Sequence, residues 1–338
     1  MLRKPNRPSL TLDCRGISEL PDLSIFNQLR LISARGNQIS FLPDHIDLLT
    51  HLEHINLGSN SFSTFPYVLT TLSQLKTLHL FNNNITILPV SIHTLTSLTL
   101  LNLNDNKIEY LPDSIGELHS ITHLSLHRNR LQALPRTIGK LRNLKELNLA
   151  DNYLRSLPYE LGELKSLQKL IMYRNKLVNL PYTIGFCTSL TVLDLSINNM
   201  MLLPSQLSKC KRLRELYIEQ NSLLQERPVD GIPVKEVLLL KELSLRAILN
   251  HNDSKHLLTP DIHSTLDKSI TDALLYAEMC SICNKHFYFT FIECVRFVKS
   301  KKISPTSSIS NLPLSTAVCS VDCFVKTDRN ILGIIHKT

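Results

Sequence analysis

Tryptophan is absent from this chain of 338 residues, aromatic residues make up only 6%, and there are nine glycines in all. So few glycines leave little room for a phosphate-cradling loop, and neither a nucleophile elbow nor an HExxH motif occurs. No stretch of 18 or more apolar residues is present, which argues against a membrane-spanning helix. The opening MLRKPNRPSL has basic residues but no apolar segment after them, so the expectation is a cytoplasmic protein rather than a secreted one. Eight cysteines in so long a chain are too few for a disulfide scaffold. Hydrophobic residues at 43% and charged residues at 20% are those of a folded globular chain, long enough for two domains. The net charge of +8 suits an acidic partner, but Lys and Arg are spread along the sequence rather than clustered as in a nucleic-acid-binding domain.

What is abundant is leucine in register with asparagine. Asn37, Asn60, Asn83, Asn106, Asn129, Asn152, Asn175, Asn198 and Asn221 follow one another every 23 residues. Around Asn152, Leu144, Leu147 and Leu149 lead in, Leu154 and Leu157 follow, and Pro158 closes. Around Asn106 the same places hold Leu98, Leu101, Leu103, Ile108, Leu111 and Pro112. This is the leucine-rich-repeat pattern, and it resembles the cytoplasmic type of that family whose second half reads LPxxIxxLxxL. The predicted fold is α/β, a horseshoe solenoid with parallel strands on its concave face. Each LxL pair points inward and stacks on the next repeat, because one repeat alone cannot bury its leucines. The asparagine should turn its amide inward to bond backbone groups left free where the chain leaves the strand. Near the start, Leu10, Leu12, Ile17, Leu20 and Pro21 form an entry repeat with Arg15 at the asparagine place. At the far end Asn221 and Leu223 keep the frame but Pro228 lacks the leucine before it, so the solenoid is expected over 1–228.

Residues between the buried leucines should face the concave side, the surface solenoids usually offer to partners. The candidates there are Arg35, His54, His79, Phe81, Asn102, His123, His127, Arg128, Tyr173, Arg174, Tyr217 and Glu219. His, Asn and Arg dominate the first two-thirds and Tyr and Glu the last repeats, so the face runs from basic to acidic. Phe81, Tyr173 and Tyr217 are expected to be exposed, and aromatic and Arg side chains are common interface anchors. The four histidines do not read as a metal or catalytic site. No carboxylate stands beside them in the register, and His123 and His127 lie on one strand about 13 Å apart.

After the repeats the composition changes. The segment VKEVLLLKELSLRAILNHN reads as an amphipathic helix with Pro233 near its first turn, in a linker placed at 229–258. A domain over 259–338 is rich in cysteine: Cys280 and Cys283 form a C-x2-C pair, Cys319 and Cys323 a C-x3-C pair. In a reducing compartment this suggests a structural zinc ion on four thiolates in a small zinc-ribbon-like fold. The intervening HFYFTFIECVRFVKS is strand-like. His286 is a substitute ligand, Cys294 reads as a buried thiol, and Cys14, Cys187 and Cys210 as structural parts of the repeats. Arg296, Lys299, Lys301 and Lys302 read as a solvated strand end.

The order of repeats, LKELSLRAILN and a CxxC…FIECVRFVKSKK…LPLSTAVCSVDC tail resembles one Cys-tailed branch of the leucine-rich repeat family over nearly the whole chain. That resemblance implies a non-enzymatic substrate receptor of a cullin-RING ubiquitin ligase. A helix carrying Leu240, Leu243, Ser244 and Ile248 would engage elongins B and C, and the concave face would hold the client protein. Ser244 departs from the elongin-binding pattern, which has cysteine there. The alternative is a cytoplasmic signalling scaffold that binds small GTPases or phosphatases through its repeats. Either way a monomer is expected, with no membrane partner.

Overall fold

The structure is a computed structural model. It describes residues 8–26 and 28–223, Ile303, and the strand segments 278–279, 286–287, 292–299, 311–318 and 331–335. Two compact units emerge: the described residues of 8–200 and 206–222 with Ile303, and 201–205 with Leu223 and the later strands.

In the first unit ten short strands form one parallel sheet in sequence order: β1 (Ser9–Thr11), β2 (Leu31–Ser33), β3 (His54–Asn56), β4 (Thr77–His79), β5 (Leu100–Asn102), β6 (His123–Ser125), β7 (Glu146–Asn148), β8 (Lys169–Ile171), β9 (Val192–Asp194) and β11 (Glu215–Tyr217). Partners are 23 residues apart throughout β2 to β9, as in Leu78↔Leu101 and Leu101↔Leu124. From β2 onward the middle residue of each strand is a buried leucine or isoleucine with its two neighbours mostly half-buried, whereas Leu10 in the entry strand β1 is only half-buried. Leu78, Leu80, Leu101, Leu103, Leu147 and Leu149 have no accessible surface at all. Burying one such side chain is worth roughly 1.5–3 kcal/mol, a gain available only when a neighbouring repeat covers it.

The return segments are five-residue 3-10 helices, from Asp44–Leu48 to Ser205–Lys209, rather than the α-helices of the expected class. The reason lies in the spacing. Ile92 and Leu95 are both buried and three residues apart, and a helix of three residues per turn puts both on one line toward the core. Pro89 precedes that helix in an extended conformation (φ −72, ψ 150), where its missing N–H costs nothing, and the Leu95 N–H closes the turn on Ile92 O. Gly116, Gly139, Gly162 and Gly185 let successive helices approach. A Cβ on Gly162 would lie 2.4 Å from the Thr183 carbonyl oxygen.

The asparagines form a buried ladder. Asn83 donates from Nδ2 to Leu57 O (3.1 Å) and Leu80 O (3.1 Å) and accepts at Oδ1 from Phe62 N (3.1 Å), and the set recurs at Asn106, Asn129, Asn152, Asn175 and Asn198. At the start, Arg15 occupies the asparagine place, and the Asn37 carbonyl oxygen receives the amides of Arg15 and Ile17. Cys187 and Cys210 stand at leucine places on the helix side and donate to Leu161 O and Ile184 O. Burial pushes their thiols up to about 12 and about 11.

The second unit contains β10 (Leu203–Pro204), β12 (Glu278–Met279), β13 (His286–Phe287), β14 (Ile292–Lys299), β15 (Asn311–Val318) and β16 (Ile331–Ile335). β14 lies between β15 and β16 and is antiparallel to both, β10 adds to β15 in parallel, and β12 pairs with β13. The expected zinc ligands Cys280, Cys283, Cys319 and Cys323 and the docking residues Leu240, Leu243, Ser244 and Ile248 lie outside the described residues.

Candidate protein-interaction surface

With Leu75 as position 1 of a repeat and Asn83 as position 9, positions 3, 5, 7 and 8 make up the strand face. Position 8 is left-handed in every described repeat, including Cys14 (φ 53), Asn82 (φ 52), Asp105 (φ 53), Arg128 (φ 53), Asp151 (φ 57), Arg174 (φ 56) and Ile197 (φ 53). This kink swings the chain off the strand and aims the next side chain, the asparagine, into the core. Asn, Asp and Gly adopt the conformation readily, whereas a β-branched Ile197 is strained in it.

Counting the entry repeat at Arg15 as repeat 1 and the Asn221 repeat as repeat 10, position 7 of repeats 2 to 4 builds one assembly. Gly58 has no side chain, and a Cβ there would sit 2.3 Å from the Phe81 ring, so the ring lies across Gly58. The Arg35 guanidinium stacks on the same ring, 5.3 Å from its centroid, and His79 meets it edge-on at 6.4 Å. The His79 Nδ1 atom is buried without a hydrogen-bond partner. Burial first, then the nearby His54, holds the His79 imidazole below its usual pKa, so it is neutral at pH 7. His54 Nδ1 is 2.8 Å from Thr77 Oγ1. The result is a half-buried aromatic surface with an exposed cation on top.

The other predicted face residues separate into distinct roles. Asn102 is a turn brace: its side-chain oxygen accepts the Asn104 N–H (3.1 Å), as Asn56 does for Gly58, Asn148 for Ala150 and Asp194 for Ser196. Arg128 and Arg174 belong to a charge ladder at position 8, where Asp105, Arg128, Asp151 and Arg174 alternate in sign. Arg128 lies 3.2 Å from Asp105 and 3.8 Å from Asp151, and Arg174 lies 3.7 Å from Asp151. Tyr217 is exposed and its hydroxyl donates to Glu215 (3.1 Å), a contact that raises the phenol pKa; Glu219 accepts the Ile218 N–H. Tyr173 is half-buried.

Two expectations about the histidines need correction. Glu146 stands directly opposite His123 in the β6–β7 register, so a carboxylate is beside one of them, though its charge lies 3.9 Å from Lys169. His127 is not on the strand with His123; β6 ends at Ser125, and the His127 amide donates to Asn104 Oδ1 (2.8 Å) in the turn beyond. Among the described residues no three His, Cys, Asp or Glu side chains converge as metal ligands would.

Sequence reasoning missed the alternating ladder, although its four members are 23 residues apart and the sign change was visible. It also missed exposed apolar side chains of repeats 2 to 5, among them Phe41, Ile87 and Tyr110 at one repeat position and Tyr67 and Val90 at another. Alignment on the repeat period would have exposed both.

A stacked parallel sheet with an inward amide ladder and an outward face of mixed aromatic and charged groups is the architecture of repeat proteins that act as protein-interaction scaffolds. Residues 8–132 and 93–176 match the leucine-rich repeat region family, together half of the chain, and the chain belongs to that family. It is 35% identical over 122 residues to leucine-rich repeat-containing protein 69 of Mus musculus, covering 36% of this chain and 35% of that protein. To the Xenopus laevis protein of the same name it is 36% identical over 126 residues, covering 35% and 34%. The chain thus matches about a third of the length of these curated relatives, and what they establish is the repeat family rather than its Cys-tailed branch. Among solved structures, a leucine-rich repeat protein of Leptospira interrogans superposes with a TM-score of 0.60 at 28% identity, covering 67% of this chain and 64% of that one. The plant peptide hormone receptor RGFR1 in complex with RGF2 gives 0.54 at 25% identity, covering 60% and 34%. No helix among the described residues is long and apolar enough to cross a membrane.

Proposed function

We propose that this protein holds a client polypeptide on the strand face of repeats 2 to 4 and presents it to a cullin-RING ubiquitin ligase. The observation that carries the first half is the Arg35–Phe81–His79 assembly. It joins an aromatic ring, a stacked cation and a neutral imidazole on the outward face of a rigid sheet, a combination common at binding hot spots. A related repeat structure with a peptide hormone bound supports a polypeptide as the occupant. Support for the second half is the tail, whose order of cysteine pairs and strand resembles leucine-rich repeat-containing protein fifty-eight. Elongins B and C would dock on Leu240, Leu243, Ser244 and Ile248.

A zinc ion on Cys280, Cys283, Cys319 and Cys323 would brace the tail. The antiparallel pairing of Met279 with His286 on either side of the first cysteine pair, and the end of β15 one residue before Cys319, suit that reading. When bound, the ion would supply folding energy and no chemistry.

The test is crosslinking of the full chain in cells against an R35A/F81A variant and an L240A/L243A variant. A client lost in the first but retained in the second, with elongins showing the reverse, is the expected pattern. Clients retained by R35A/F81A would overturn the face assignment. Elongins absent from the intact protein would overturn the ligase role and leave a scaffold for signalling enzymes.

A further inference from the structure

On the edge of repeats 8 to 10 where the chain enters the strands, away from the assembly just described, lies a depression of about 500 Å³. It is lined by Gln168, Ser189, Thr191, Lys211, Arg212 and Arg214, with Leu213 beneath. The turn before β11 explains why three cations crowd one rim. Leu213 must be buried to fill the core, and its amide closes on Cys210 O, so residues 211, 212 and 214 on either side of it are left exposed.

None of the lining residues is acidic. At several other places a carboxylate is set against the cations. Arg30 and Lys76 flank Glu53, Lys140 meets Glu117 at 2.9 Å, and Arg128 lies between two aspartates. Lys211 and Arg212 enter no ion pair among the described residues. The opposite wall offers neutral donors, the Ser189 hydroxyl and the Gln168 amide, while Thr191 Oγ1 is committed to Gln168 O (2.9 Å). The backbone amides of Lys211, Leu213 and Arg214 are taken by Lys209 O, Cys210 O and Thr191 O, so these three amides are not open to a ligand and the side chains carry the recognition.

We propose that this depression binds a phosphate monoester. Its dianion would meet the Lys211 ammonium and the fork of Arg212 in charge-assisted hydrogen bonds, with Ser189 and Gln168 completing the shell. The volume lies in the range of small-ligand sites and far exceeds a lone phosphate, so the phosphoryl group arrives on a carrier: a phosphorylated side chain with its flanking backbone, or a small organic phosphate.

The experiment titrates the full chain with a short glycine–alanine peptide carrying one central phosphoserine, with the same peptide carrying serine, and with glycerol 2-phosphate, at low and physiological salt. The phosphopeptide should bind at least about tenfold more tightly than its serine counterpart. K211Q/R212Q should remove that difference, and so should S189D, which keeps both cations but puts a carboxylate among them. K140Q, on the helix side, should leave it unchanged. Glycerol 2-phosphate competing at concentrations similar to the phosphopeptide identifies a small ester as sufficient; failure to compete assigns the carrier to a peptide. Equal binding of the two peptides, or an equal loss in K140Q, would mean only diffuse attraction by a basic protein and overturns the site.

Discussion

Replacing Asn129 by alanine tests whether the buried amide ladder holds the repeats together. The Asn129 amide donates to Leu103 O (2.9 Å) and Leu126 O (3.0 Å) and accepts from the fully buried Ile108 N (3.0 Å). A buried donor left without a partner costs about 1–3 kcal/mol, and alanine would leave the Ile108 N–H in that state, whereas Leu103 O and Leu126 O keep the bonds they accept from Asn106 (3.1 Å) and Asn152 (2.9 Å). The two bonds that Asn129 donates add about 0.5–1.5 kcal/mol each, and with partial relaxation the expected loss is about 2–4 kcal/mol. Such a loss is a large share of the stability of an ordinary domain, and it falls at one interface between neighbouring repeats. Urea unfolding followed by far-ultraviolet circular dichroism should show a lower midpoint and a broader transition, as the two sides of the break begin to unfold separately. Hydrogen exchange adds a local reading. The Ile108 amide should lose its protection, while the Leu131 amide, held by Asn152, should keep it. Asn221→Ala, at a half-buried rung near the end, should cost about 1 kcal/mol. A loss under about 1 kcal/mol for Asn129→Ala, or unchanged exchange at Ile108, would refute the ladder argument.

Gly162→Ala places a methyl 2.4 Å from the Thr183 carbonyl oxygen and should destabilise by about 1–3 kcal/mol in the same urea assay, since backbone must move to admit it. Ile197→Asn should stabilise by up to about 1 kcal/mol, because asparagine accepts the left-handed conformation that Ile197 holds at φ 53. Alkylation at pH 8 followed by peptide mapping should modify the exposed Cys14 and spare Cys187, whose thiol is pushed up to about 12. His79 has a lowered pKa when folded, so its contribution is intact above about pH 6.5, the unfolded value, and is lost as the pH falls through the folded value. Thermal stability should therefore fall less between pH 7 and pH 5 in His79→Gln than in the unaltered protein; an equal fall would show that His79 is not the group responsible.

The repeat frame could be read because it rests on local chemistry that recurs. The placing of Leu144, Leu147, Leu149, Asn152 and Pro158 reports alternation in a strand, an inward amide and a proline start to the return, all within one repeat. Which outward residues form a site could not be read in the same way. Arg35, Gly58 and Phe81 each look ordinary in their own repeat, and the stacking appears only when three turns are laid side by side and the empty space over Gly58 lets the ring tilt across it. Arg128 and Arg174 look like contact residues one repeat at a time, yet their nearest charges are aspartates one turn away. The return segments became 3-10 helices because inward residues three apart have to meet the same core line.

The one-dimensional order of residues decided the number of turns, their spacing, the buried face and the amide that ties each turn to the last, since every one of these follows from contacts at a fixed offset along the chain. Folding in three dimensions decided which exposed charges cancel and which stay available. The Asp105–Arg128–Asp151–Arg174 ladder neutralises itself, whereas Lys211 and Arg212 face a hollow without carboxylates. That outcome depends on the distance and direction between side chains on adjacent turns, and Coulomb energy is set by those rather than by residue identity.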